Sequence, residues 1–200
     1  MEFWEKAFIE KKSMWGDAPA HSARIALELF RQHQIKSVLI PGFGYGRNAK
    51  EFLEHGIEVT GIEISATAID LAHQQLGDSF IVHHGSVTDM PFDQVKYDAV
   101  FCHGLIYLLD ESERAKLIHD CFTQLKDGGL MLFSLISQKA QTYGQGTPIG
   151  EHRFEMFGGV RIYFYDQTSI KKEFSTYGII NIIEVEEDYP FYLVQCQKTK

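Results

Sequence analysis

Cysteine is scarce in this 200-residue chain, and its three copies, Cys102, Cys121 and Cys196, show neither a C-x-x-C nor a zinc-type spacing. An odd, scattered set excludes a disulfide framework and a thiolate metal centre, and it fits reduced thiols in a cytosolic protein. No metal is expected. Long apolar runs are also missing: nothing approaches the ~18 residues of a membrane-crossing helix. The opening Met1-Glu-Phe-Trp-Glu-Lys6 has no apolar signal core. A soluble, cytoplasmic protein with no membrane partner is expected. Basic charge is in deficit, with 19 Lys and Arg against 27 Asp and Glu and a net charge of -8. That balance opposes nucleic acid held through its phosphates. Internal repeats and low-complexity tracts are absent as well.

What is present is ordinary for one globular domain, with 44% hydrophobic and 23% charged residues. Its organising stretch is Ser37-Val-Leu-Ile-Pro-Gly-Phe-Gly-Tyr-Gly-Arg47, in which a β-rich run meets Gly42, Gly44 and Gly46 at alternate positions and Arg47 to Leu53 reads as a helix. Strand, glycine turn and helix bring bare backbone and unpaired N–H groups up to a nucleotide. The final glycine of the pyrophosphate-binding G-x-G-x-x-G is lacking, which favours a nucleoside without a phosphate chain. Ile57 to Ile62 is a second strand ending in Glu63, 21 residues after Gly42. An acid there is placed to accept hydrogen bonds from ribose hydroxyls. Its other reading is a charge favoured at a helix start.

Along the chain, Phe3 to Lys12 reads as an amphipathic helix broken by Met14-Trp15-Gly16. Asp17 offers a cap and Pro19 a first-turn position for a second helix, with Ile25, Ala26, Leu29 and Phe30 inward. Trp15 is either a lid over the nucleotide or plain packing. Ser65 caps a helix ended by Gly77, and Phe80 to His84 is a third strand whose adjacent histidines face opposite sides and so form no simple metal pair. Tyr97 to His103 is a fourth strand, apolar enough to be buried on both faces. Asp110-x-x-Glu113 opens a helix as a capping box, Gly128-Gly129 stops it, and Leu130 to Ile136 is a fifth strand. Strands alternating with helices imply an α/β, Rossmann-like parallel sheet covered on both faces. The stretch 137–159 is polar, glycine-bearing and too long for a routine connection, hence either a lid or a disordered insertion. Val160 to Tyr165, a helix near Gln167 to Tyr177, and an antiparallel pair at Ile179–Glu187 and Tyr192–Gln197 complete the reading. The chain thus divides into a helical cap (1–33), a core (37–136), the insertion (137–159) and a closing region (160–200).

This arrangement resembles the class I S-adenosylmethionine-dependent methyltransferases over roughly Phe3 to Gln197. Val38-Leu-Ile-Pro-Gly-Phe-Gly-Tyr-Gly46 resembles their first motif, and Gly61-Ile-Glu-Ile-Ser65 the segment with the ribose-binding acid. Gly85-Ser-Val-Thr-Asp89 resembles the adenine-contacting turn, Tyr97 to His103 the fourth motif, and Leu125-Lys-Asp-Gly-Gly-Leu130 the approach to the fifth strand. Gly46-Arg-Asn-Ala49 and Phe3-Trp-Glu…Met-Trp-Gly16 resemble the thiopurine and tellurite-resistance branch, which methylates small soft nucleophiles. The resemblance implies a seven-stranded, mostly parallel sheet with a C-terminal antiparallel hairpin, S-adenosylmethionine as cofactor and a small-molecule acceptor. It departs at Ile40, where many members carry an acid that holds the methionine end of the cofactor.

On that resemblance Gly42, Gly44 and Gly46 give close backbone approach, Glu63 serves the ribose, Ile64 is a further cofactor contact, Ser86 and Val87 serve the adenine, and Trp15 covers cofactor or acceptor. His103 lies where methionine end and acceptor should meet, as general base, cofactor contact or structural hydrogen bond. Tyr107 has the same standing. Cys102 is expected inside the fourth strand. His152 and Arg153 either bind an acidic acceptor or belong to a solvated loop. Three other readings of the architecture are a nicotinamide-dependent oxidoreductase, a non-catalytic nucleoside-binding protein and a methyltransferase acting on RNA or protein, against whose RNA form the acidic balance weighs. The missing Asn/Asp-Pro-Pro-Tyr pattern counts against methylation of base amino groups.

Overall fold

A computed structural model describes residues 2–199 of the chain. In order, its elements are α1 (Glu2–Lys11), α2 (His21–Gln32), β1 (Ser37–Pro41), α3 (Arg47–Leu53), β2 (Glu58–Glu63), α4 (Ala66–Leu76), β3 (Ile81–His84), β4 (Tyr97–Cys102), α5 (Glu111–Thr123), β5 (Leu125–Ile136), β6 (Thr147–Gly150), β7 (Arg153–Met156), β8 (Val160–Tyr163), α6 (Gln167–Phe174), β9 (Ile179–Glu186) and β10 (Pro190–Gln197).

Alternation builds the core. Successive strand side chains face opposite sides of a sheet, and Val38, Leu39 and Ile40 of β1 are all at most 3% exposed. Val38 and Ile40 join Val59, Ala99, Phe101 and Leu193 under α2 and α3. Leu39 joins Ile62, Val100, Cys102, Met131 and Phe133 against Leu117, Ile118 and Cys121 of α5. Burial on both faces is why these strands read as unbroken apolar runs. The seven-stranded sheet runs β3-β2-β1-β4-β5-β10-β9. The pairs β1–β2, β1–β4, β2–β3 and β4–β5 are parallel, and β10 is antiparallel to both β5 and β9. This is the sheet and final hairpin that the resemblance implies. Among the described residues no helix is long and apolar enough to cross a membrane, and no group of three or more His, Cys, Asp or Glu is placed to hold a metal ion.

Several boundaries differ from the sequence reading. α2 starts at His21 with Ala20 at the cap, so Asp17 and Pro19 lie before it. Its fully buried residues are Ser22, Ala23, Ala26, Leu27 and Phe30, and the expected Ile25 and Leu29 are partly buried and packed against the same core, so the covered face is wider than expected. The expected capping box of α5 is present, Asp110 accepting from the Glu113 N–H at 2.9 Å and Glu113 from the Asp110 N–H at 2.8 Å. That helix ends at Thr123, however, and Gly128-Gly129 lies within β5, where Gly128 has φ +81° and the pairing with β4 shifts register. Stretch 137–159 is neither disordered nor bare loop. Its β6 pairs antiparallel with β7, and β7 with β8, forming a separate three-stranded sheet. Phe154 and Tyr143 pack there on Phe164, with centroids 6.0 and 5.4 Å away.

Gly61 of β2 is glycine for a packing reason, since a Cβ would sit 2.3 Å from the Phe43 ring. Gly61→Ala is expected to cost about 1–3 kcal/mol by overpacking, at roughly 2–4 °C of melting temperature per kcal/mol for a domain of this size. Gly150→Ala, whose Cβ would meet its nearest neighbour at 3.8 Å, should melt with the parent. Thermal denaturation of the two variants checks this.

Candidate active site

From β1 the chain proceeds outward through β2 to β3, and from β4 it proceeds the other way to β5. The loops after β1 and β4 therefore diverge and leave a crevice at the carboxyl ends of the strands, the switch point at which open α/β sheets bind ligands. The glycine turn forms one lip. The Gly42 and Phe43 N–H groups both donate to the Ile62 carbonyl at 3.0 Å, which pins the turn to β2. Gly42, Gly44 and Gly46 all take positive φ, but for different ends. A Cβ on Gly42 would meet Leu105 at 3.1 Å and one on Gly46 would meet Leu76 at 2.6 Å, whereas one on Gly44 would meet nothing within 4 Å. Only Gly44 presents bare backbone to open space. The other two are glycines because packing and φ require it.

Glu63 closes the second strand, 6% exposed. Its Oε2 accepts the Gly44 N–H at 2.7 Å, and its Oε1 accepts the Ile64 and Ser65 N–H groups at 2.9 Å each. Burial pushes its pKa up, while the three N–H donors and His84 pull against that shift. An ionised carboxylate has about four lone-pair sites. Three are used, and the one left on Oε2 lies beside Gly44. Ile64 also offers its carbonyl to His84 Nε2 at 3.2 Å. On the neighbouring strand end, the Ser86 hydroxyl caps a short 3₁₀ turn by accepting the Thr88 N–H at 3.2 Å, and Val87 is 7% exposed within the core.

The N-terminal segment folds over this lip. Trp15 stacks on Tyr45 at 6.2 Å with the rings 7° from parallel. The Tyr45 hydroxyl donates to the Gly16 carbonyl at 2.7 Å and accepts the Trp15 N–H at 3.1 Å. Arg47 donates to the Trp15 carbonyl. Glu5 of α1 accepts from the Ser65 hydroxyl at 2.6 Å and from the Thr67 hydroxyl at 2.5 Å. These hydroxyls, Ser65 first, hold its carboxyl below the usual range. The Trp15 ring itself is 44% exposed.

After β4, His103 lies between rings, 6.1 Å from Phe101 and 5.7 Å from Phe191. Its Nδ1 is 2.9 Å from the Ser22 hydroxyl, and its Nε2 is 3.7 Å from a Glu187 carboxylate oxygen. The other Glu187 oxygen accepts the Ser22 N–H at 2.7 Å. Burial pushes the imidazole down to about 4, with Glu187 pulling the other way. Tyr107, in the 3₁₀ turn Ile106–Leu108, is half-buried with its ring 6.1 Å from Phe191, and burial pushes its hydroxyl up. Cys102 is fully buried in the strand, as expected. His152 is engaged with the Tyr143 hydroxyl at 2.7 Å, and the Arg153 Nε is buried without a partner. Sequence reasoning singled out neither Ser22, Tyr45, Glu5 nor Glu187. Each acquires its place through a partner at least 29 residues away, and no local motif marks it.

A histidine held neutral by burial binds fewer protons folded than unfolded, so the stability it contributes is present above its ordinary 6.5 and is lost as pH falls toward about 4. Denaturant titrations across that window should show stability falling with acid, with a shallower slope in His103→Gln. An unchanged slope in the variant would mean that His103 is not the group responsible.

Residues 38–129, from β1 into β5, match a family described as methyltransferase domain. A ubiquinone biosynthesis O-methyltransferase of Coxiella burnetii is 28% identical over 113 residues, covering 54% of this chain and 47% of the relative. A malonyl-[acyl-carrier protein] O-methyltransferase of Salmonella typhimurium is 27% identical over 121 residues, covering 59% and 46%. The chain thus spans about half the length of the curated relatives it matches. Among solved structures, an S-adenosylmethionine-dependent methyltransferase from Clostridium acetobutylicum superimposes with a TM-score of 0.75 at 12% identity, covering 100% of both chains. The 1,6-didemethyltoxoflavin-N1-methyltransferase of Burkholderia thailandensis, solved with S-adenosylhomocysteine, gives 0.75 at 15% identity, covering 100% of this chain and 87% of that one. The residues present fit S-adenosylmethionine in two respects: the backbone at Gly44 borders open space, and Glu63 Oε2 accepts only one N–H, which leaves a lone pair unused. Residues 38–129 thus resemble a methyltransferase domain, and the chain as a whole has the fold of the solved S-adenosylmethionine-dependent methyltransferases.

Proposed function

We propose that this chain transfers a methyl group to a small-molecule acceptor whose nucleophile, a soft sulfur, selenium or tellurium atom or an acidic oxygen, is already ionised when it reacts. The observation that carries the reading is the state of His103. One ring nitrogen is engaged by Ser22 and the other faces Glu187, and burial holds the imidazole at about 4. Such a group is a weak proton acceptor near neutrality, and Tyr107 is pushed toward its protonated form. A neutral alcohol would call for a base, whereas a thiolate, selenide or carboxylate would not. The bound cofactor supplies a methyl group already activated on a sulfonium.

The protein's part is then alignment and the exclusion of water, and alignment alone is worth up to ~7–11 kcal/mol of barrier. Glu63 fixes the ribose, with Ile64 beside it, and Gly44 allows close approach of the nucleoside. Gly42 and Gly46 hold the turn in shape, and the backbone at Ser86 and Val87 borders the adenine. Trp15, clamped through Tyr45, covers the lip, and His103 and Tyr107 line the acceptor end. Gly46-Arg-Asn-Ala49 supports the choice of a small soft acceptor through its resemblance to the thiopurine and tellurite-resistance branch. The names of the relatives point to oxygen and nitrogen acceptors in those proteins.

Calorimetric titration with S-adenosylmethionine, S-adenosylhomocysteine and NADH tests the cofactor. The two adenosyl compounds should bind and NADH should not; the reverse pattern would overturn the reading. Glu63→Ala is expected to weaken adenosyl binding about 10- to 100-fold, the loss of one hydrogen bond to a charged group. The same variant should melt lower than the parent, because three N–H groups lose their acceptor. With radiolabelled cofactor, methyl transfer to thiol, selenide and carboxylic acid acceptors should follow ionisation of the acceptor. The rise of kcat/KM with pH should move with the acceptor's own pKa across a series; a rise that stays put would indicate a base on the protein.

A further inference from the structure

We infer that Glu187 holds the α-ammonium group at the methionine end of the cofactor, an inference that rests on the reading that the crevice takes S-adenosylmethionine. Glu187 directly follows β9. Because β9 and β5 are both antiparallel to β10, β9 runs in the direction of β4 and ends at the same edge of the sheet as the crevice. Its side chain reaches across to α2 and to the end of β4, where Ser22 and His103 meet it.

The carboxylate is 9% exposed. Its Oε1 accepts the Ser22 N–H at 2.7 Å. The nearest ring nitrogen to Oε2 stands at 3.7 Å, beyond hydrogen-bond length. Among the described residues no Lys or Arg forms an ion pair with Glu187. A carboxylate withdrawn from water this far is unfavourable without a cation or several donors, and here one oxygen has neither. With no donor of its own, Oε2 is left for something that enters the crevice.

Two positive groups occur on S-adenosylmethionine. The sulfonium has no N–H or O–H to donate, whereas the ammonium offers three donors and matches a carboxylate oxygen with free lone pairs. β1 supplies no competing carboxylate, since Ile40 stands at its end, 3% exposed. Ser22 positions both partners at once, its N–H on Glu187 and its hydroxyl on His103 Nδ1. The rings of Phe101 and Phe191 hold the imidazole beside the carboxylate.

The test compares two neutral-sulfur ligands by calorimetry at neutral pH: S-adenosylhomocysteine, and 5′-methylthioadenosine, which keeps the nucleoside and lacks the amino-acid end. Glu187→Gln should weaken S-adenosylhomocysteine by roughly 30-fold or more, the low end for losing one partner of a desolvated charge pair. It should leave 5′-methylthioadenosine unchanged, which also reports that the site remains folded. Glu187→Asp, which keeps the charge on a shorter stem, should recover part of the loss. Equal losses for both ligands would make Glu187 a fold-supporting residue and overturn the inference, as would undiminished S-adenosylhomocysteine affinity. If the parent protein binds neither ligand, the cofactor reading itself falls.

Discussion

The buried carboxylate of Glu63 is the contact on which the upper edge of the sheet depends. Three backbone N–H groups, from Gly44, Ile64 and Ser65, converge on it from the glycine turn, the end of β2 and the start of α4. Each of these groups sits where a regular element has just ended or is about to begin, and so has no ladder or helical partner of its own. One side chain satisfies them together and thereby fixes the relative positions of three segments. Ser65 extends the arrangement outward, since its hydroxyl donates to Glu5 and accepts the Ala68 N–H at the start of α4. The order of the glycine turn, the first turn of α4 and the docking of α1 thus share a single electrostatic centre. The remaining lone pair belongs to an acceptor already held in place, so a hydroxyl donor, as in the proposed ribose contact, would need little further ordering.

Across the crevice a second polar group is built on different terms. Around Glu63 the donors are backbone and numerous; around Glu187 they are one N–H and a distant neutral imidazole. A carboxylate satisfied by three N–H groups is stable by itself, while one left with a bare oxygen is poised for a donor from outside. The two ends of the crevice therefore differ in kind. One is completed by the fold, and the other is completed by a ligand. His103 belongs to the second end, where burial between aromatic rings keeps it neutral and its hydrogen bonds keep it in place.

Local chemistry and tertiary packing divide the three glycines of the turn. All three need positive φ, which is a demand of the turn, but only Gly44 is bare for the sake of open space. Gly42 and Gly46 yield to Leu105 and Leu76, residues brought from the loop after β4 and the end of α4. A similar division explains the insertion. Polar, glycine-bearing sequence gave no periodicity from 137 to 159, yet Phe154 and Tyr143 find Phe164 only when β8 returns beside β7. That aromatic cluster, with Ile162 and Met156 buried beside it, orders what the sequence leaves as either lid or disorder.

Signals written within a few residues were legible in the chain itself. The alternation in Val38-Leu39-Ile40, the capping box at Asp110 and Glu113, the serine cap at Ser65 and the acid closing β2 all stand in sequence as they stand in space. Each rests on backbone geometry that repeats over two to four residues. From these the doubly covered parallel sheet and its crevice follow, because short strand–helix connections leave few other topologies. Tertiary structure alone decided the rest. Helix α2 began past Pro19, and its covered face took in Ala23 and Leu27 beside the expected Ala26 and Phe30, because the sheet beneath it sets how wide a stripe is covered. Ser22 and Glu187 stand 165 residues apart and meet at one hydrogen bond. No periodicity or motif spans such a distance; only the pairing of β10 with β5 and β9 brings them to the same edge, and with them the second half of the site.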